Sequence, residues 1–441
     1  MTPRLRVLVT VLGLFATMRA GAEPVVTLED ASARALTTHE RLRAADAERD
    51  RAAVAPWRAV SALSPSVREI GSYTREKDQI VFPTGGIAVP GFNPVVLAQD
   101  VLRSTLEVGQ PLYTHQFWGL RDIGAAEVRR SDDAYRAARQ DVLLAVAAAY
   151  YDTLRAQTLA DVARETQHLA DTEIDHAEAR LKAGSAVRSE VLRAQSERAR
   201  ADQRLAEAEG QTETSHDLLR RLAGLEPGFV VTDPPPRRLD LAAADPFVAS
   251  AATRNPDLQQ REAALAAARG EERRRVGALL PTLGVQFDYQ NLNHESFADQ
   301  NAFWTLMVRA QVPLVEGGGT RFLDVAEQRA VVERLEAEVA GFRRDLEVDV
   351  RRAWVTARTL DAQRAAAEKE VAFATETYHM LSDQYAAGTA TNLDVVSALT
   401  TLDTARATAT TLRYAHAVAL VQLERVAGTL GEPVGAPGAA R

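Results

Sequence analysis

The chain has 441 residues, 46% hydrophobic and 25% charged, with a formal net charge of -8. That balance suits a folded protein and offers no basic field to hold a nucleic acid. Cysteine is absent, which rules out disulfides, thiolate nucleophiles, cysteine-held zinc, iron–sulfur clusters and N-terminal lipidation on cysteine.

The first 22 residues carry Arg4 and Arg6, then an apolar run from Val7 to Met18, then Ala20-Gly21-Ala22. This is the order of a secretory signal peptide, so export is expected. No other stretch approaches the ~20 apolar residues of a spanning helix. Alanine and arginine crowd the charged stretches and aromatics are only 6%, the make-up of long helices.

The remainder reads as a tandem repeat, 23–223 and 245–430, with a Pro-rich joint at 224–244 and a disordered tail at 431–441. Leu42, Pro65 and Tyr73 recur at one constant offset as Leu258, Pro281 and Tyr289. Each half predicts a helix, two strands, a very long helix, a glycine tip and a second long helix. The strands fall near 63–113 and 281–313, and the helical hairpins at 116–223 and 319–430. In the second half, Leu283, Val285, Phe287 and Tyr289 alternate with polar residues, as do Trp304, Leu306 and Val308. Such alternation over about ten residues suits a strand with one apolar and one wet face, and is also the length of a membrane-barrel strand. Alternation alone leaves open a small soluble hairpin packed on helices. The first-half strands are weaker, interrupted by Arg68, Glu69, Arg103 and Glu107.

From Gly319 to Ala386 there is no proline, and Val325, Val332, Val339, Leu346, Ala353, Leu360, Ala367, Ala374 and Leu381 recur every seventh position. That pattern predicts a shallow, left-handed seam along a helix on the order of 100 Å long. The tips read LKAGSAVRSEVLRAQ (181–195) and YAAGTATNLDVVSAL (385–399). A reversing helix needs a residue of positive φ, which Gly184 and Gly388 supply. Four strands cannot close a barrel, and an open edge is not tolerated in lipid, so membrane strands would have to be pooled between chains.

These residues resemble the TolC-like outer-membrane efflux proteins. The features are the tandem halves, Ala62-Leu63-Ser64-Pro65 and Ala278-Leu279-Leu280-Pro281, Gln110-Pro111-Leu112, the run Pro313 to Gly318, and Tyr385, Gly388, Thr389 with Asp394-Val395. The resemblance covers essentially the whole chain after residue 22. It implies a mainly α fold with a membrane β-barrel part: a homotrimer with a 12-stranded barrel on a periplasmic α-barrel. Segments 74–100 and 291–302 become extracellular hairpin loops. Function is then passive export through an outer-membrane duct of a tripartite efflux or type I secretion system. The implied partners are outer-membrane lipid, a periplasmic adaptor and an inner-membrane pump, with no cofactor.

By resemblance, Asp394 lies at the pore constriction, with Glu190 in the matching place of the first half. Ser397 stands where relatives carry a second acidic residue. The adaptor-contacting tips become Gly184, Ser185, Ala186, Val187, Gly388, Thr389, Ala390 and Thr391. Leu283, Val285, Phe287, Tyr289, Trp304, Leu306 and Val308 become lipid-facing. Glu316 to Thr320 lacks the lysine of a phosphate loop, and His168, His176 and His294 lack metal-ligand spacing and read as solvated surface. No catalytic constellation stands out, so an enzyme is not expected. The alternative is a non-conducting exported coiled-coil scaffold or tether in the periplasm.

Overall fold

The computed structural model describes residues 24–83, 85, 95–184, 186–293, 301–314 and 319–431. The segment read as a signal peptide, residues 315–318 of the Pro313 to Gly318 run, His294 and all but the first residue of the tail lie outside them. The first repeat holds β1 (Val25–Val26), α1 (Leu28–Thr38), α2 (Glu40–Ala53), α3 (Ala55–Ser61), β2 (Ser66–Arg75), β3 (Ile80–Val81), β4 (Val95–Leu97), β5 (Asp100–Tyr113), α4 (Gln116–Lys182) and α5 (Arg188–Ala223). The Pro-rich joint holds β6 (Val230–Val231), and the second repeat holds α6 (Asp245–Arg254), α7 (Pro256–Gly277), β7 (Thr282–Leu292), β8 (Ala302–Gln311), α8 (Thr320–Ala386) and α9 (Asn392–Val426). Among the described residues no helix is long and apolar enough to cross a membrane.

The fold is mainly helical, and the two longest helices run 67 residues each. In two respects it is finer than the sequence reading. The opening helix of each half is broken into pieces. Asn255 caps α7 by accepting from the amides of Asp257 and Leu258, while Pro256 keeps Asn255 extended and so ends α6 before it. The segment 74–100, read as a hairpin loop, carries an antiparallel pair of its own, β3 with β4, built on Ile80, Val81 and Val95.

The chain divides into two compact units, and neither is a repeat. Of the described residues, the first takes those within 24–39, 145–239 and 360–418; the second takes those within 40–144, 240–359 and 419–431. Each draws on both repeats.

In the second unit the four long strands form one antiparallel sheet in the order β2-β5-β7-β8. Register places Val67, Val108, Phe287 and Leu306 in one cross-strand row, and Arg68, Glu107, Asp288 and Thr305 in the next row on the other face. The polar interruptions of the first-half strands therefore have a simple origin. Arg68, Arg103 and Glu107 belong to the wet face, where Arg68 meets Glu107 at 3.0 Å, and only Glu69 falls on the apolar face. Pro111 brings no amide to the ladder, and the register shifts between it and Tyr113.

Elsewhere in this unit, α4 and α7 meet backbone to backbone. A Cβ built on Gly119 would lie 2.4 Å from the amide nitrogen of Arg274, and one on Gly277 would lie 2.7 Å from that of Gln116.

In the first unit, β1 and β6 pair in parallel, which ties the start of one repeat to the joint before the other. Tyr150 is fully buried beneath them, its hydroxyl 2.9 Å from the carbonyl of Val26 and 2.7 Å from that of Thr232. The coiled-coil seam of α8 is doubled here. Beside the heptad Ala367 and Ala374, positions four residues after the heptad marks, Tyr378 and Tyr385, are also buried and supply the large side chains of the seam.

Candidate functional site: the helical tips

Both tips lie in the first unit, and they reverse in related ways. Gly184 has φ +73° and Gly388 φ +80°. At Gly388 the last turn of α8 is closed by Thr389 donating its amide to the carbonyl of Gln384 at 2.8 Å and Gly388 to Tyr385 at 3.0 Å, a glycine-terminated helix end. At Gly184 the amide donates to the carbonyl of Leu181 at 3.0 Å. Ser185 lies outside the described residues.

The helices that leave the tips are capped differently, and this decides what the two acidic residues do. Ahead of α9, Thr391 and Asp394 form a capping box. The Thr391 amide and hydroxyl donate to Asp394 Oδ2 at 3.0 and 2.6 Å, and the Asp394 amide donates back to the Thr391 hydroxyl at 3.3 Å. The Thr391 hydroxyl, then its amide, hold the Asp394 carboxyl below its ordinary pKa. Ahead of α5 the capping position is Val187, which has no side-chain acceptor to offer. Glu190, three residues on, is therefore free to reach out of its helix, and it accepts the Tyr385 hydroxyl at 3.1 Å.

Tyr385 is the residue around which the tips are assembled. Only 1% exposed, it lies beneath the Arg180 guanidinium, which sits 4.4 Å from its ring centre. Arg180 also donates to the Tyr385 carbonyl at 2.8 Å. Helices α4, α5 and α8 thus meet at one side chain. Burial first, then the Glu190 carboxylate, push the Tyr385 hydroxyl above its ordinary pKa, so it stays a donor.

Further along α4, Glu173 is 2% exposed and accepts from Tyr378 at 3.2 Å and Ser382 at 3.1 Å. His176, read from sequence as solvated surface, turns Nδ1 inward to 4.0 Å from the other oxygen of this carboxylate. Burial and the neighbouring Glu173 carboxylate raise the Tyr378 hydroxyl far above its ordinary pKa.

Asp394 and Ser397 are both exposed, and they line one groove of about 620 Å³ between α8 and α9, with Lys369, Glu370, Phe373 and Thr401. The structure therefore brings Asp394 and Ser397 together and ties Glu190 to Tyr385. Tyr385 and Arg180 were not singled out as site residues by the sequence reading. Their signal was Tyr385 four residues after the heptad position Leu381, a large side chain beside an alanine-rich seam.

The sheet of the second unit gathers the seven apolar strand residues on one face. Leu283, Val285, Phe287 and Tyr289 stand opposite Ala310, Val308, Leu306 and Trp304 in register. Trp304, Leu306 and Val308 are 60 to 68% exposed. Among the described residues, β2 and β8 have no further strand on their outer edges.

Comparison with known proteins gives one consistent answer. A family model described as outer membrane efflux protein matches residues 98–225 and 248–429. The outer membrane protein TolC of Vibrio cholerae is 26% identical over 354 residues, which cover 76% of this chain and 78% of that protein. The alkaline protease secretion protein AprF of Pseudomonas aeruginosa is 24% identical over 76% of this chain and 71% of its own length. Among solved structures, CusC superposes with a TM-score of 0.76 over 95% of this chain and 96% of its own, at 17% identity. The outer membrane protein VceC of Vibrio cholerae gives a TM-score of 0.73 over 91% and 96% at 17% identity.

Proposed function

The chain belongs to the outer membrane efflux protein family, channel proteins of the outer membrane, and from that premise we propose that it is the exit duct of a tripartite efflux or type I secretion system. One observation supports this most directly. Four strands of membrane length form a sheet with one apolar face and, among the described residues, an unpaired edge on each side. Such a sheet is stable in lipid only when its edges are paired, and three copies closing edge to edge would make a 12-stranded barrel. The long helical hairpins of the three copies form the periplasmic tunnel. Transport through this component is passive, and an inner-membrane pump supplies the energy.

Asp394, Glu190 and Ser397 lie at the constriction in this proposal. Asp394 presents three carboxylates, one per chain, which favour cations and repel one another. Glu190 acts through Tyr385, holding the first hairpin against the second. Gly184 through Val187 and Gly388 through Thr391 meet the periplasmic adaptor.

The test is single-channel conductance of detergent-purified protein in a planar bilayer, beside Asp394→Ala. A small, cation-selective conductance that loses selectivity in the variant supports the acidic ring. Conductance unchanged by the substitution removes Asp394 from the gate while keeping the duct. A protein extracted by salt alone and unable to trimerise overturns the duct and leaves the scaffold.

A further inference from the structure

The apolar face of the sheet is not uniform along its length, and its upper end can be located. On β8 the residues of that face run Trp304, Leu306, Val308 and Ala310, and Val312 and Leu314 continue the alternation just beyond the strand, 52% and 81% exposed. In the other direction the face becomes small and polar, with Ala302 opposite Asn291 one pair beyond Trp304 and Tyr289. On β5 and β2 polar residues enter at Ser104 and Glu69, the Ser104 hydroxyl donating to the Glu69 carboxylate at 3.1 Å, and the exposed Leu102–Tyr73 pair follows one row further out.

The span of this apolar band can be compared with a membrane. The ten steps from Trp304 to Leu314, which run three residues past the end of β8, give roughly 34 Å along the chain at ~3.4 Å each. Barrel strands tilt by about 35–45°, so the band stands roughly 24–28 Å tall, against the ~25 Å of outer-membrane barrels. Polar side chains within the band are provided for. Gln110 shares the face and spends its amide donor on the carbonyls of Leu63 at 2.7 Å and Pro111 at 2.8 Å. The upper end is marked by the Tyr289–Trp304 cross-strand pair, and the Trp304 ring stacks on Phe287 with centres 6.2 Å apart. Tyrosine and tryptophan, apolar rings with one polar atom each, are favoured where hydrocarbon meets headgroups.

We infer that the outer boundary of the hydrocarbon layer crosses the β7–β8 pair at Tyr289 and Trp304, with Ala302 and Asn291 among the headgroups and Leu306 to Leu314 against acyl chains. This rests on the barrel reading above and fixes the depth at which the barrel sits. The occupant of the face is lipid, and the Trp304 row is its polar border.

The absence of cysteine makes the test direct. Single-cysteine variants Ala302→Cys, Leu306→Cys and Ala310→Cys, with Met307→Cys as a wet-face control, are nitroxide-labelled in proteoliposomes. Collision with oxygen is then compared with collision with a water-soluble nickel chelate. The expected result is an oxygen-to-nickel ratio several-fold higher at 306 and 310 than at 302 or 307, so that the crossing falls between 302 and 306. A lipid-like ratio at 302, or a water-like one at 306, moves the boundary and overturns the inference while leaving the barrel in place. Nickel access at every site overturns the barrel reading itself. Labels at 306 and 310 shielded from both probes show protein, not lipid, on the face, and also overturn the inference. The four sites are independent, so a variant that fails to insert leaves the gradient readable from the others.

Discussion

Tyr385 shows how much a single hydroxyl can organise at a helix reversal. Its ring is held by Arg180 and its hydroxyl by Glu190, so Tyr385→Phe keeps the packing and deletes one hydrogen bond. The expected cost is about 1 kcal/mol, because Glu190 is half-exposed and water replaces the lost donor. The more telling readout is conductance, which should rise in the variant as α5 loosens from α8. Stability and conductance both unchanged would mean that the hydroxyl holds nothing.

Glycine gives a second contrast at this scale. Gly119→Val drives a side chain into the α7 backbone and should cost about 3 kcal/mol or more, read as loss of folded trimer. Gly210, in the middle of α5 with nothing within 4 Å of a built Cβ, should instead gain about 0.5–1 kcal/mol on Gly210→Ala in thermal unfolding. The two glycines differ only in what packs against them, the α7 backbone in one case and open space in the other.

Among the elements, α9 carries a titration that the sequence marks only as a histidine. His416 is 15% exposed, and burial pulls its pKa below the ordinary value, partly offset by Asp361 with Nε2 at 3.8 Å and further lowered by Arg364. A histidine whose pKa is depressed on folding stabilises the fold above its ordinary pKa of ~6.5. That contribution is lost as pH falls through the folded value, because the unfolded chain then binds the proton more readily. Thermal midpoints should therefore fall on acidification from pH 7.5 towards 5.5, and His416→Leu should flatten that part of the profile relative to the parent. An equal slope in parent and variant would assign the acid sensitivity elsewhere.

The elements themselves were largely legible. The unbroken heptads of α8, the alternation of β7 and β8 and the two glycine tips each have a period or a residue that only one local structure satisfies. The breaks between α1 and α2 and between α6 and α7 were less so, because one cap suffices to end a helix without disturbing its apolar spacing.

At the scale of the whole molecule, duplication and compactness do not coincide. The repeats are sequence units, yet each compact unit takes segments from both, and the central pair of the sheet, β5 with β7, joins one repeat to the other. Separately expressed residues 23–223 and 245–430 should each fail to give a folded, membrane-inserted product, since splitting β5 from β7 exposes two long strand edges in place of a ladder. Co-expression should restore trimer and detergent-dependent extraction. A stable, inserted single half would contradict this.

What the sequence determined by itself is whatever repeats locally: helix against strand, the duplication, the reversal at Gly184 and Gly388, and the apolar set on β7 and β8. These follow from periodicity and backbone freedom, which act within a few residues. The tertiary structure decided the rest. It set what Glu190 reaches, because its partner Tyr385 arrives from far along the chain. It set the register that turns Arg68 and Glu107 from interruptions into one row of a wet face. Partners distant in sequence are brought together only when the backbones pack, and no local period encodes that meeting.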